Sequence, residues 1–264
     1  MEERQNNHPQ VQTTQSPSMT SIDASQVSSA QSPWGVPGAI VIAGLLIAGA
    51  LFYGNQDSGK NSDTLKVADT KEAVQEDASL DKINPITEKD HILGNVNASI
   101  KIVEYSDTEC PFCKNFHTNM QQIMNEYGKN GKVAWVYRQF PLDSLHSKAR
   151  TEAEATECAA ELGGNAKFWA YLDRLMEVTP SNDGLNLAQL PEIAKYVGLN
   201  DKAFSKCLSE LKYKGHIDSD IENALATGGR GTPWSILIAK DGTKYPISGA
   251  QSYATIKALI EKSL

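Results

Sequence analysis

"SDTECPFCKNF", residues 106–116, sets Cys110 and Cys113 three apart with a proline and a phenylalanine between them. The chain has four cysteines, so half of them sit in this one stretch. Three chemistries use the spacing: half of a zinc site, an inert structural disulfide, or a thiol pair that cycles between dithiol and disulfide. What flanks the stretch has to choose among them.

Immediately upstream, "SIKIVEYS" (99–106) is β-rich and mostly apolar, as a strand buried on both faces would be. Downstream, Phe116, Met120, Ile123, Met124 and Tyr127 recur at helical spacing until Gly128. "KVAWVYRQF" (132–140) reads as a second strand. Residues 146–177 and 187–212 read as several helices, with breaks at Gly163-Gly164, at "TPSNDG" and at Gly198. "PWSILIAKDGTKYPIS" then gives strand, Asp-Gly turn and strand, the strongest short hairpin signal. "SYATIKALIEKSL" closes the chain as an amphipathic helix. The layout is β–α–β, a helical block, then β–β–α. With a CxxC where the first strand feeds a helix, and Thr232-Pro233 just before the third strand, this is the α/β skeleton of a thioredoxin fold.

These residues resemble the DsbA-like thiol–disulfide oxidoreductases, bacterial proteins that are membrane-anchored or secreted. The resemblance rests on Glu104, Asp107, Cys110-Pro111-Phe112-Cys113, "RQFPL" (138–142) and "GTPWSIL" (231–237), and it covers roughly 90–264. It implies a domain over 85–264 with a helical insertion at about 145–226. It also implies that Pro233 is cis and lies beside the cysteine sulfurs, as only an X–Pro bond readily permits. A carboxylate at position 104 would sit under the active site, where burial would raise its pKa and let it pass a proton to or from Cys113. The redox group would be the cysteine pair itself, with no further cofactor and no metal. A quinone-linked membrane protein would be the partner that reoxidises it.

Placement predicts the division of labour. A helix N-terminus presents unpaired N–H groups and the positive end of the dipole, which should lower the pKa of Cys110 into the range of roughly 3.5–7.5. Pro111 is tolerated there because first-turn N–H groups have no intrahelical partner. Cys110 is therefore the expected nucleophile and Cys113, one turn further in, the resolving thiol. Pro111, Phe112 and Thr232, together with Trp234, are expected to offer a shallow apolar surface to unfolded or partly folded secreted polypeptides that carry cysteines. Such a chain would add as a strand to an exposed edge preceding Pro233. Trp234, which enters a strand, reads equally as core.

Other residues have two readings. From composition, Glu104 is a solvated edge carboxylate; from the resemblance, it is buried. Asp107 and Glu109 read as loop residues, with Asp107 available to cap the helix. His117 completes C-x2-C-x3-H, which invites a metal, yet no second ligand pair accompanies it, so it is expected as an exposed helix residue. Cys158 and Cys207 are either buried free thiols or a disulfide between helices, and the disulfide requires an oxidising compartment.

Composition bounds the remainder. The chain has 264 residues and a net charge of −7, and no basic cluster appears, which argues against nucleic acid as a partner. Residues 1–33 hold six Gln, seven Ser and three Thr against a single basic residue, Arg4, and read as a disordered polar tail. Within 36–54, "GAIVIAGLLIAGALFYG" (38–54) is uncharged, just under a usual spanning length of about 17–25 residues, and reads as a transmembrane anchor or a signal segment. Residues 55–84 read as a charged polar linker. Lys60, Lys66 and Lys71 follow the apolar run while no Lys or Arg lies within twenty residues before it, so the positive-inside rule points the C-terminal domain to the cytoplasm. The cysteine chemistry points the other way and is given precedence. The expectation is a single-pass protein of the bacterial cytoplasmic membrane with an extracytoplasmic catalytic domain that donates disulfides. An isomerase, a reductase and a non-catalytic thioredoxin-like binding module are the alternatives.

Overall fold

The structure, a computed structural model, describes residues 79–264. The stretches read as a polar tail (1–33), as an anchor or signal segment (36–54) and as a linker up to residue 78 lie outside the described residues. Among the described residues no helix is long and apolar enough to cross a membrane.

Five strands form one mixed sheet in the order β1-β3-β2-β4-β5, with β1 His91–Gly94, β2 Ile100–Ser106, β3 Val133–Gln139, β4 Trp234–Ile238 and β5 Lys244–Ser248. β2 runs parallel to β3, Glu104 facing Tyr137, and every other pairing is antiparallel. The six helices are α1 Pro111–Ile123, α2 Ala149–Val178, α3 Leu190–Tyr196, α4 Asp201–Glu210, α5 Lys214–Ala226 and α6 Tyr253–Ser263. α1 runs on through a π-helical turn, Met124–Gly128, so the sequence's Gly128 stop holds. β1 was not anticipated: four residues ending in glycine carry too little pattern, and only pairing with β3 makes them a strand.

Alternation along β2 and β3 sorts side chains onto two faces. Ile100, Ile102, Val133, Trp135 and Tyr137 pack with Phe116, Met120 and Ile123 of α1 and with Ile256 and Ile260 of α6. Val103, Tyr105 and Val136 face the opposite layer with Ile236, Trp234 and Ala224 of α5. Leu80, Ile83 and Ile86 pack against this second layer, so residues 80–84, read as linker, contribute to the domain. Arg138 holds that segment down: its guanidinium bonds Asp90 (2.8 Å), the Tyr105 hydroxyl (3.0 Å) and the backbone oxygens of Asn84 (3.2 Å) and Pro85 (3.3 Å).

The helical insertion has its own core, in which Tyr171, Leu175, Leu190, Ile193 and Phe204 surround Cys158 and Cys207. Those two cysteines form a disulfide between α2 and α4, with Cα atoms 5.8 Å apart. The expected break at Gly163-Gly164 is a kink inside α2 at Gly164 (φ 71°, ψ −173°), a conformation open essentially to glycine alone. The break at Gly198 separates α3 from α4, again with positive φ (80°).

Candidate active site

β2 delivers the chain to the site and α1 receives it. Cys110 is the N-cap residue of α1 in extended conformation (φ −80°, ψ 120°), and Pro111 occupies the first turn. The Cys110 sulfur lies 3.5 Å from the Thr232 carbonyl oxygen, across the cis Thr232–Pro233 bond that leads into β4. Cys113, one turn on, is wholly buried, and its sulfur accepts from the Asp107 N–H at 3.4 Å. Cys110 itself is only 4% exposed, whereas Phe112 stands 62% exposed beside it.

The two thiols are pushed in opposite directions. Cys110 is lowered to about 6, first by a hydrogen bond from the Cys113 thiol, which outweighs burial, with help from Thr232 and the N–H groups of Cys113 and Phe112. The sequence argument credited the helix end alone; the neighbouring thiol is the larger cause. Cys113 is raised well above an ordinary thiol by burial and by donating to Cys110. One sulfur is thus held as thiolate and the other as its proton donor.

Glu104 is buried on the α1 face of β2 and is no edge carboxylate. One oxygen accepts from the Trp135 indole N–H (2.8 Å), and the other has no hydrogen-bond partner. Burial raises its pKa to about 7, opposed in part by the nearby Ser106 hydroxyl and the Trp135 N–H. Its charge in turn helps raise Cys113.

Asp107 and Glu109 lie in the turn between β2 and α1, as read, but both are buried there. Asp107 is buried and organises the turn before α1, accepting from the N–H groups of Glu109 (2.8 Å) and Leu142 (2.7 Å) and pairing with His146 Nδ1 (2.9 Å). Glu109 is also buried: its carboxylate accepts weakly from the Leu185 N–H (3.4 Å) and its carbonyl from Asn182 N–H (2.8 Å). Glu152 of α2 is raised to about 9, chiefly by burial and next by the neighbouring Glu109 carboxyl. His117 is buried rather than exposed, bonding Asp173 at 2.8 Å and tilting against the Trp135 ring. His146, Glu152 and Trp135 escaped sequence reasoning because their partners are 31 to 43 residues away; among them only Trp135 carried a signal, sharing strand parity with the apolar face of β3.

On the opposite wall, Gly228, Arg230, Gly231, Thr232, Pro233, Trp234, Ser248 and Gly249 line an open groove of about 400 Å³. Trp234 is buried and donates to Thr227 Oγ1 (3.1 Å), the core reading rather than the surface one. β4 is paired on both sides, so no strand edge is free there. The backbone next to the sulfurs is the short segment ahead of Trp234.

Comparison with known proteins agrees with this geometry. A family model described as Thioredoxin matches residues 86–262. The crystal structure of Pseudomonas aeruginosa DsbA2 is similar at 25% identity and a TM-score of 0.56, over 68% of this chain and 96% of that one. BdbD from Bacillus subtilis in its oxidised form shares the fold at 21% identity and a TM-score of 0.61, over 71% and 98%. Among curated proteins, the chain is 32% identical over 146 residues to Na(+)/H(+) antiporter NhaA 3 of Salinispora tropica, and 29% identical over 147 residues to NhaA 1 of Salinispora arenicola. Each match takes in 55% of this chain and 21% of the relative, so the chain spans about a fifth of the length of those relatives.

Proposed function

The chain belongs to this thioredoxin family and is an oxidoreductase, and from that premise we propose that it donates disulfides to cysteine-containing polypeptides through Cys110 and Cys113. The observation that carries the reading is the split between the two sulfurs, one stabilised as thiolate at a helix N-cap and the other enclosed and protonated. In the oxidised form a substrate thiolate attacks Cys110 Sγ, the Cys110–Cys113 bond breaks, and Cys113 departs with the electron pair. Cys113 favours its protonated form, and the Glu104 carboxyl, half-protonated near pH 7, is the group placed to supply that proton. A second substrate thiolate then attacks the substrate sulfur of the mixed disulfide. Cys110 leaves as the thiolate its surroundings favour, and two electrons have passed from the substrate to the pair.

The same split sets direction. At pH 7 a thiol lowered to about 6 stabilises the reduced protein by about 1.4 kcal/mol relative to an ordinary thiol, or about 30 mV toward the oxidising side. Phe112 and the groove along Thr232 and Pro233 would hold the substrate chain; Pro111 shapes the first turn beneath it. Reoxidation is assigned to a membrane redox partner. We place the domain outside the cytoplasmic membrane because the Cys158–Cys207 disulfide persists in an oxidising compartment. Refolding of a reduced, denatured substrate tests the reading: Cys110→Ser is expected to abolish turnover, and turnover that survives this substitution would overturn it. A reduction potential near that of thioredoxin, about −270 mV, would reassign the protein as a reductase.

A further inference from the structure

A second chemically rich cluster lies where the insertion rejoins the sheet, built from side chains the thiol chemistry does not use. His91 comes from β1, Glu157 from α2, and His216 and Asp220 from successive turns of α5. His91 Nε2 is 2.9 Å from Glu157 Oε2, and His216 Nε2 is 3.8 Å from both Glu157 Oε1 and Asp220 Oδ2. One ligand atom each from His91, Glu157 and His216 lies within 4.8 Å of the others. We propose that His91, Glu157, His216 and Asp220 form a site for a divalent transition metal, best suited to Zn²⁺.

The donor set fits that ion. Two imidazole nitrogens and two carboxylate oxygens make an N2O2 set of the borderline character zinc accepts, and two carboxylates neutralise its charge. Tetrahedral bonds of about 2.0–2.1 Å put ligand atoms roughly 3.3 Å apart; the three separations above run from 2.9 to 3.8 Å and the His91, Glu157 and His216 atoms lie within 4.8 Å of one another, so side-chain rotation has to draw the set together around the ion. The ligands are already oriented from behind. Gln139 Nε2 donates to Glu157 Oε1 (2.9 Å) and to Thr156 Oγ1 (2.8 Å), while the Gln139 backbone N–H donates to Asp220 Oδ2 (3.0 Å). The His91 ring is stacked on Phe168, with centroids 3.5 Å apart and planes within 8°. Outer contacts of this kind fix ligand orientation in metal sites. His91, Glu157 and Asp220 are buried, while the His216 side chain is 39% exposed and gives the ion a way in. Binding breaks the His91 Nε2···Glu157 Oε2 hydrogen bond and takes the imidazole in the tautomer that carries its proton on Nδ1. The alternative is a self-contained hydrogen-bonded cluster, which predicts no response to metal.

The test uses the full chain, stripped with a chelator and with Cys110 and Cys113 joined as their disulfide so that neither thiol can ligate. Titration with ZnCl₂ at pH 7 is expected to show one equivalent bound, with a Kd of about 1 µM or tighter. At a hundredfold excess over Kd the Tm should rise by about 5–11 °C. Co²⁺ in place of Zn²⁺ should give intense tetrahedral d–d absorption. His216→Ala, at a half-exposed position that keeps the fold, should weaken binding by at least about 100-fold, and Glu157→Gln should do the same and remove the Co²⁺ bands. Absence of stoichiometric binding, or an affinity unchanged in both folded variants, overturns the proposal.

Discussion

At the scale of single residues, the site is a set of displaced protonation equilibria, and each displacement can be read out. Alkylation of reduced protein by iodoacetamide should rise through a midpoint near pH 6 and level off above pH 7, because only the Cys110 thiolate reacts and its pKa is about 6. An ordinary cysteine would instead titrate near about 8.5. Glu104 works in the other direction. Its folded pKa of about 7 lies above the ordinary 4.5, so its contribution to stability is complete below pH 4.5 and is lost as pH rises through 7. Glu104→Gln keeps an acceptor for Trp135 while removing the buried charge. The variant should be more stable than the parent by about 3 kcal/mol at pH 8, with the gain fading toward pH 4.5, as measured by urea midpoints across that range. The cysteines were legible because they are adjacent in sequence and the chemistry demands their spacing. Glu104 was legible only through resemblance, since one carboxylate on a strand has no pattern of its own. His117 was misread as exposed, and the burial of the loop residues Asp107 and Glu109 went unread, because their partners Asp173, His146 and Leu185 come from the insertion or the loop leading to it.

At the scale of elements, periodicity carried most of the fold. β2 and β3 are buried on both faces and read as continuous apolar runs, and the Asp241-Gly242 turn joins β4 to β5 with Gly242 at φ 85°. The insertion's breaks were marked by the glycines that need positive φ. Its covalent closure was an open choice, because two lone cysteines 49 residues apart say nothing about distance until the helices pack. That disulfide ties α2 to α4 within a core separate from the sheet's two layers. Replacing both cysteines with alanine should cost about 4 kcal/mol by the chain-entropy estimate for a loop of this length. Denaturant melts would measure it. A loss confined to the insertion should leave the pH midpoint of Cys110 alkylation where it was, since the groups that lower the Cys110 pKa are the Cys113 thiol, Thr232 and the N–H groups of Cys113 and Phe112.

At the scale of the whole molecule, the thioredoxin core supplies the sulfurs at the start of α1 and an inserted helical layer buries the acids around them. The proposed extracytoplasmic placement predicts that protease added to cells stripped of their wall cleaves residues 90–264 while a cytoplasmic marker survives; protection of that segment until lysis would reverse the topology. Phe112 projects beside a cysteine that is 4% exposed, and this asymmetry has a consequence for client choice. An incoming cysteine finds little of Cys110 on the surface and has to reach it from the groove along Thr232 and Pro233. A slack chain can bend into that groove, whereas a cysteine fixed on a rigid surface collides with the rim. Clients would therefore be released by their own stiffening: as each one folds, it loses the pliancy that admitted it, and the gate closes without any moving part.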